Sequence, residues 1–280
     1  MQKQSIRNIR AASLLIIFII LLSCNNKSDG QSKTKVIDNV KKDNISKNIN
    51  DSIIKTEYSN IEEALKYIDS VKSFYLTGVE IVEIPKEIQK FVNLEKLTIY
   101  YTTIQELPLW LFDIETLKEL VIDNNPIKEI PSEIMKLKNL QELEISATLI
   151  KTLPDKLGNI SNLQNLDLNS NSIEILPNSM ADLKKLKYIS IRFNKLKKIP
   201  EFIYELNNLE KINLGGNYIE KIPDDIKKLE NVKVFHIDQN MLNPEEVKRM
   251  KDIFQDKYLH IYNQFNYEHL IPIRFEQYIE

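Results

Sequence analysis

The chain has 280 residues, enough for one or two domains, and its 38 basic and 40 acidic residues leave a formal net charge of −2. Such an even balance, without a concentrated basic stripe, argues against a nucleic-acid binder. The single cysteine, Cys24, excludes disulfides, zinc clusters and a buried catalytic thiol from any fold downstream of it.

Residues 1–10 are basic and polar, with Lys3, Arg7 and Arg10. Residues 11–22 (AASLLIIFIILL) are apolar and about half as long as a membrane-spanning helix requires. This is the layout of a secretory signal. The following Leu21-Leu22-Ser23-Cys24 resembles the bacterial lipoprotein box. That resemblance implies a signal peptide over 1–23, cleavage before Cys24 and a diacylglycerol thioether on its sulfur. It places the chain in a bacterial cell envelope, held by two or three acyl chains, enough for firm anchoring. Asn25, rather than Asp, follows the cysteine and points to the outer membrane; the leaflet is open. A plain signal with an incidental cysteine and an uncleaved anchor are the alternatives. Without residues 1–23 the net charge is about −5.

Asn, Lys, Ser and Asp dominate residues 25–58, which contain no aromatic before Tyr58. Such a segment buries too little apolar surface to offset its ordering entropy. Residues 24–58 are therefore expected to be a flexible tether reaching about 30–35 Å. Ser59-Asn60-Ile61-Glu62 has capping-box spacing and predicts a capping helix over 59–70, with Ile61, Leu65 and Ile68 on one face.

From Val71 to Leu242 the chain repeats every 23 residues. Steps of 23 from Val71 land on Leu94, Leu117, Leu140, Leu163, Leu186, Leu209 and Val232. We number the coils 1 to 8 from these residues, and positions within a coil from 1 to 23. Positions 1, 4, 6, 11, 14, 18 and 21 are apolar, and Pro follows position 14 from Pro85 to Pro223. A fixed period of this size signals a solenoid. The pattern resembles the leucine-rich-repeat family, LxxLxLxxNxLxxLPxxLxxLxx. The fold class expected is an α/β solenoid: a curved parallel β-sheet on the concave side, short 3₁₀ or α turns on the convex side, and helical caps at both ends. Alternation over positions 3–7 predicts the strands. The resemblance assigns Asn125, Asn171, Asn194, Asn217 and Asn240, at position 9, to a ladder of bonds between coils. Thr102, Thr148 and Val79 replace Asn there, and local irregularity is expected in those coils. The prolines suit the first turn of a helix.

After Leu242, Asn243-Pro244-Glu245-Glu246 opens a helix with Val247, Met250, Ile253 and Phe254 facing inward. Tyr258 to Tyr262 suggests an edge strand. Residues 243–280 are read as a C-terminal cap and an aromatic tail.

The resemblance exposes positions 3, 5, 7 and 8 on the concave face. Glu119, Asp123, Glu142, Glu144 and Asp167 then form an acidic patch. Tyr75, Tyr100 and Tyr101 flank it on one side, and Tyr188, Arg192 and Phe193 on the other. Aromatics carry hot-spot energy and charge steers approach. A protein or peptide partner with a basic segment is expected there, against an alternative of a scaffold without a dedicated ligand. Glu119 and Glu142 have the separation of a retaining glycosidase pair but no pocket walls. His236, His260 and His269 lack metal spacing, and Gly215-Gly216 lacks the Lys-Ser/Thr of a phosphate loop, reading instead as a bare spot on the concave face. No enzyme activity, cofactor or metal is expected.

Overall fold

A computed structural model describes residues 55–254 and 258–261; the expected signal peptide, Cys24, the tether through residue 54 and the tail from residue 262 lie outside the described residues. No helix among the described residues is long and apolar enough to cross a membrane.

Ten parallel strands form one sheet in sequence order. They are β1 (Glu57–Tyr58), β2 (Ser73–Thr77), β3 (Lys96–Tyr100), β4 (Glu119–Asp123), β5 (Glu142–Ser146), β6 (Asn165–Asp167), β7 (Tyr188–Ser190), β8 (Lys211–Asn213), β9 (Val234–His236) and β10 (Tyr258–His260). Their register is the sequence period itself: Lys96 pairs with Glu119, Glu119 with Glu142 and Glu142 with Asn165. Alternation turns positions 4 and 6 inward, so Leu120, Ile122, Leu166 and Leu168 are completely buried. Each such side chain contributes roughly 1.5–3 kcal/mol, but only once the next coil covers it.

On the convex side each of coils 1 to 7 makes a five-residue 3₁₀ turn: Lys86–Lys90, Leu109–Asp113, Ser132–Lys136, Asp155–Asn159, Asn178–Asp182, Glu201–Glu205 and Asp224–Lys228. The prolines stand one residue earlier than expected, at the cap. There the fixed φ pre-sets the turn and the proline carbonyl accepts its first bond, as Pro131 does from the Ile134 N–H at 3.1 Å.

The two ends revise the sequence boundaries. Glu57–Tyr58 pairs with Ser73–Phe74, and Tyr58 is buried with its hydroxyl donating to the Lys55 carbonyl at 3.0 Å. Glu57 and Tyr58 therefore belong to the sheet and not to the expected tether, because one buried aromatic recruits its polar neighbour into an edge strand. The expected helix over 59–70 shrinks to α1 (Ile61–Ala64), capped by Asn60 rather than Ser59. It gives way to tighter turns, so Ile61 and Leu65 reach the core while Ile68 stays exposed. At the other end α2 (Pro244–Ile253) starts at Asn243 as the sequence indicates. Phe254, just after it, stacks on Phe235 of β9 at 5.3 Å. Glu246 is buried and accepts the Ile222 N–H at 2.7 Å, with Arg249 beside it holding its carboxyl below the usual range.

The position 9 asparagines form the ladder. Asn194 accepts the Ile173 N–H at 3.0 Å and donates to the Leu168 carbonyl at 2.8 Å; Asn217 and Asn240 repeat this one and two coils on. The coils with Thr102 and Thr148 are regular, contrary to expectation, since each hydroxyl donates to the next asparagine oxygen, on Asn125 and Asn171. A second ladder runs along position 23, where Asn93, Asn139, Asn162, Asn208 and Asn231 each donate to the carbonyl 24 residues earlier at 2.6–2.8 Å, Asn93 reaching Asp69 just ahead of coil 1.

Position 8 is left-handed in every coil. Tyr101, Asn124, Ala147, Ser170, Phe193 and Gln239 have φ of 47–56°, and only Gly78 and Gly216 fill the position without strain. The twist turns the chain out of the strand while the position 8 N–H still bonds the next coil, as Ala147 N–H does to the Asn169 carbonyl at 3.0 Å. Such a conformation costs a non-glycine residue roughly 1 kcal/mol. Ala147→Gly is expected to raise stability by about 0.5–1 kcal/mol in urea unfolding. No gain, or a loss, would mean the Ala147 methyl contributes more by packing than it costs in strain.

Candidate functional site

The concave rows stand where the period puts them. Glu119, Glu142, Asn165, Tyr188 and Lys211 run across β4 to β8, and Val121, Glu144 and Asp167 run beside them across β4 to β6. Together they line a shallow depression of about 370 Å³. Rigid strands position each side chain, because alternation forces position 3 and position 5 residues to the solvent face.

The acidic residues are not equivalent. Glu119 is matched within the sheet by Lys96 at 2.6 Å, and this hydrogen bond raises the Lys96 pKa. Asp123, Glu142, Glu144 and Asp167 have no salt bridge among the described residues. They hold polar neighbours instead. Asn165 donates to Glu142 at 3.0 Å. The Ser146 hydroxyl lies 2.8 Å from both Asp123 Oδ1 and Glu144 Oε1, and its one hydrogen can serve only one of them. Asp167 accepts from the Asn169 backbone N–H and side-chain amide, each at 2.9 Å.

Asp167 is the most perturbed of these. Burial pushes its carboxyl up to about 6, the Asn169 backbone N–H opposes, and the charges of Glu144 and Asp123 push it further up. Burial also raises the Tyr188 phenol, with Asp167 and Glu144 adding to the effect. On the far side of that ring Lys211 lies 5.1 Å from the centroid. The depression is thus an acidic basin closed at one end by a lysine-capped tyrosine.

The remaining candidates lie outside the basin. Tyr100 and Tyr101 form an exposed pair, centroids 6.0 Å apart, on coil 2. Tyr75 lies one strand further towards β1. Arg192 is engaged rather than free: its guanidinium lies 4.5 Å from the Phe193 ring and reaches over coil 7 to Asp238 at 3.5 Å. The glycine pair makes this possible. A Cβ on Gly216 would meet the Phe193 ring, and one on Gly215 would meet Asp238. The expected bare spot at Gly215-Gly216 is therefore covered by an Arg192–Phe193 lid. Spacing alone could not reveal it, because the contact skips a coil.

Comparison with known proteins supports the repeat. A family model described as Leucine rich repeat matches residues 115–173, 138–196 and 184–242. Among solved structures, an LRR protein of Leptospira interrogans is 31% identical over 70% of this chain and 50% of that one, with a TM-score of 0.66. An internalin of Listeria monocytogenes is 20% identical over 74% of this chain and 59% of that one, with a TM-score of 0.62. The ectodomain of a plant membrane receptor kinase from Arabidopsis thaliana, in complex with CASPARIAN STRIP INTEGRITY FACTOR 2, is 24% identical over 70% of this chain and 23% of that one, with a TM-score of 0.55. The chain thus spans about half the length of the leptospiral protein and 59% of the internalin. No curated protein matches the sequence significantly.

Proposed function

The chain belongs to the leucine-rich-repeat family, whose curved sheet serves in general as a protein-recognition surface, and from that premise we propose that it is a lipid-anchored recognition module of a bacterial cell envelope. Its concave basin takes a protein or peptide through a basic segment. The observation that carries this reading is the cluster of Asp123, Glu142, Glu144 and Asp167, four carboxylates on three adjacent coils with no salt bridge among the described residues. Their mutual repulsion costs the folded state free energy. A Lys or Arg from a partner relieves that cost and gains charge-assisted hydrogen bonds at once. Tyr188 supplies an aromatic wall for the aliphatic stem of the same residue. The anchor rests on residues 1–24, and mass spectrometry of the mature N-terminus tests it: an acylated Cys24 is expected, and an intact Met1 or a plain Asn25 start would refute it.

The test of the basin is a double charge reversal, Glu142→Lys with Glu144→Lys. Binding of a lysine-rich peptide, and capture of any stoichiometric partner from detergent-solubilised envelopes, is expected to fall at least about tenfold. Unchanged capture of one stoichiometric partner would move recognition elsewhere, and the absence of any such partner would favour a scaffold.

The basin also predicts a pH dependence. Asp167 ionises fully only above about pH 6. Affinity for the basic peptide is therefore expected to drop as pH falls from 7.5 through 6. Stability runs the other way for this group: its folded pKa is raised from 3.8, so ionisation costs the fold as pH rises between about 4 and 6. Asp167→Asn is expected to raise the melting temperature at pH 7.5 and to leave it unchanged near pH 4. An equal effect at both pH values would remove the titration argument.

A further inference from the structure

The two flanks of the sheet carry their charges in opposite ways. On the flank that enters the strands, at position 2, charges alternate over coils 1 to 3 and again over coils 6 to 8, with Gln141 and Gln164 between, and they pair within the chain. Glu95 lies between Lys72 and Lys118 at 3.8 and 2.8 Å, and Lys233 meets Glu210 at 2.6 Å. On the flank that leaves the strands, at position 13, charges are sorted by end. Coils 1 to 3 present Glu83, Glu106 and Glu129; coils 6 and 7 present Lys198 and Lys221. All five are exposed, and the only one with a salt bridge among the described residues is Lys198, 3.7 Å from a Glu201 that is itself highly exposed. Exposed Lys195 and Lys197 add to the basic end, and exposed Glu80 to the acidic end.

The rows are held straight by backbone bonds. In coils 2 and 4 to 8 the position 10 N–H donates to the position 11 carbonyl of the coil before it, as Leu149 does to Ile127 at 2.8 Å and Ser172 to Ile150 at 3.0 Å; Pro126 in coil 3 has no N–H to give. Coils along this flank therefore step at about 4.8 Å. Between the charged ends lie Thr152 and Ile175. Ile175 is the most exposed large hydrophobic residue of the described chain, at 75%. Half-buried Leu149 and Pro126 lie on the neighbouring row.

Within this row each charge meets its own sign one coil away, so the row does not neutralise itself as position 2 does. Their complement is the same row inverted. We propose that this flank is a homotypic interface, in which a second copy of the chain docks antiparallel about a two-fold axis at coil 4. With Thr152 on the axis, Glu83 faces Lys221 of the other copy and Glu106 faces Lys198. In the adjacent row Lys128 faces Glu174. The same operation sets Glu129 against Ile175, so Leu149 and the Ile175 side chain supply the apolar part of the centre and the charged ends supply the rim, the usual anatomy of an interface. A two-fold arrangement closes on itself and leaves both concave basins open. Lys151 meets its own copy near the axis and opposes association.

The flank is narrow, so the dimer is weak, with a dissociation constant on the order of ten micromolar that rises with salt. Sedimentation velocity on the full chain in mild detergent reads it. One variant, Lys198→Glu with Lys221→Glu, makes both ends of the position 13 row acidic; another, Glu83→Lys with Glu106→Lys, makes both ends basic. Each alone is expected to stay monomeric, with a dissociation constant raised at least about tenfold, and an equimolar mixture to form heterodimers. Lys151→Ala is expected to tighten the native dimer. Self-association that survives in either variant alone, or no dimer of the native chain at about 100 micromolar, overturns the proposal. Binding of the native chain to vesicles of anionic phospholipid through Lys195 and Lys198, without self-association, also overturns it and makes a membrane surface the occupant. These outcomes are independent of the concave basin, which none of the variants touches.

Discussion

Asn194→Leu is expected to destabilise the folded chain by roughly 2–5 kcal/mol in urea unfolding. The substitution removes the acceptor for the buried Ile173 N–H and one of the two donors to the Leu168 carbonyl, which keeps the Asn171 amide at 2.9 Å. The orphaned N–H costs about 1–3 kcal/mol and the lost hydrogen bond about 1 kcal/mol more, and leucine offers neither a replacement partner nor room for water. Asn194→Thr is the informative control. Thr102 and Thr148 already occupy this position in other coils and keep one hydroxyl bond to the next asparagine, so threonine is expected to lose about half as much. Because a solenoid is coupled only through neighbours, the leucine variant is also expected to broaden or split the transition as coils on either side unfold separately. Equal stability of the two variants would show that the ladder contributes shape rather than free energy.

Gly158→Leu is expected to be the most damaging change on the convex side. A Cβ at Gly158 would sit 1.9 Å from the Ser179 carbonyl oxygen and 2.6 Å from its carbon. These are backbone atoms of the next turn and cannot swing aside. The conformation of Gly158 is itself ordinary, so the requirement is space alone. The same repeat position holds Phe112, Ala181 and Tyr204 elsewhere, which shows that the constraint belongs to this junction and not to the repeat. Overpacking of this kind costs about 1–3 kcal/mol for alanine, and leucine is expected to exceed it. Alanine and leucine variants within 0.5 kcal/mol of the native chain, or about that, would mean the two turns can separate freely.

The contrast between these positions explains what could be read beforehand. A 23-residue period dictates which residues share a row, so the placing of Glu119, Glu142, Asn165 and Tyr188 on one face follows from arithmetic and alternation. Interactions that obey the period were accessible too. The position 23 ladder could have been found, since Asn93, Asn139, Asn162, Asn208 and Asn231 are separated by whole periods. Its residues are polar and lie outside the core, so no hydrophobic pattern marks them. Which members of a row actually pair, and what joins the sheet beyond the repeat, were not accessible. Arg192 skips a coil, Glu119 is neutralised by Lys96 while Glu142 is not, and Tyr58 pulls two tether residues into the sheet. Each depends on side-chain reach and local space, which composition does not encode. The left-handed position 8 was hidden for another reason. Six of its eight residues are not glycine, so the usual signal of that conformation was absent.

The paired asparagine ladders have a further consequence for what can lie across the concave face. With a rail along each border of the strands, neighbouring coils cannot slide or fan apart, and the face becomes a ruler graduated at about 4.8 Å. An α-helix climbing across it advances about 4.5–6 Å every three to four residues, close to one graduation. An extended strand crossing it needs three residues, about 10 Å, to span two. Basic side chains three or four apart on a helix would therefore fall on successive carboxylates such as Glu142 and Asp167, whereas an extended ligand could meet only alternate coils. Spacing lysines at intervals of three, four and five in otherwise identical helical peptides would convert that pitch into a measurable preference.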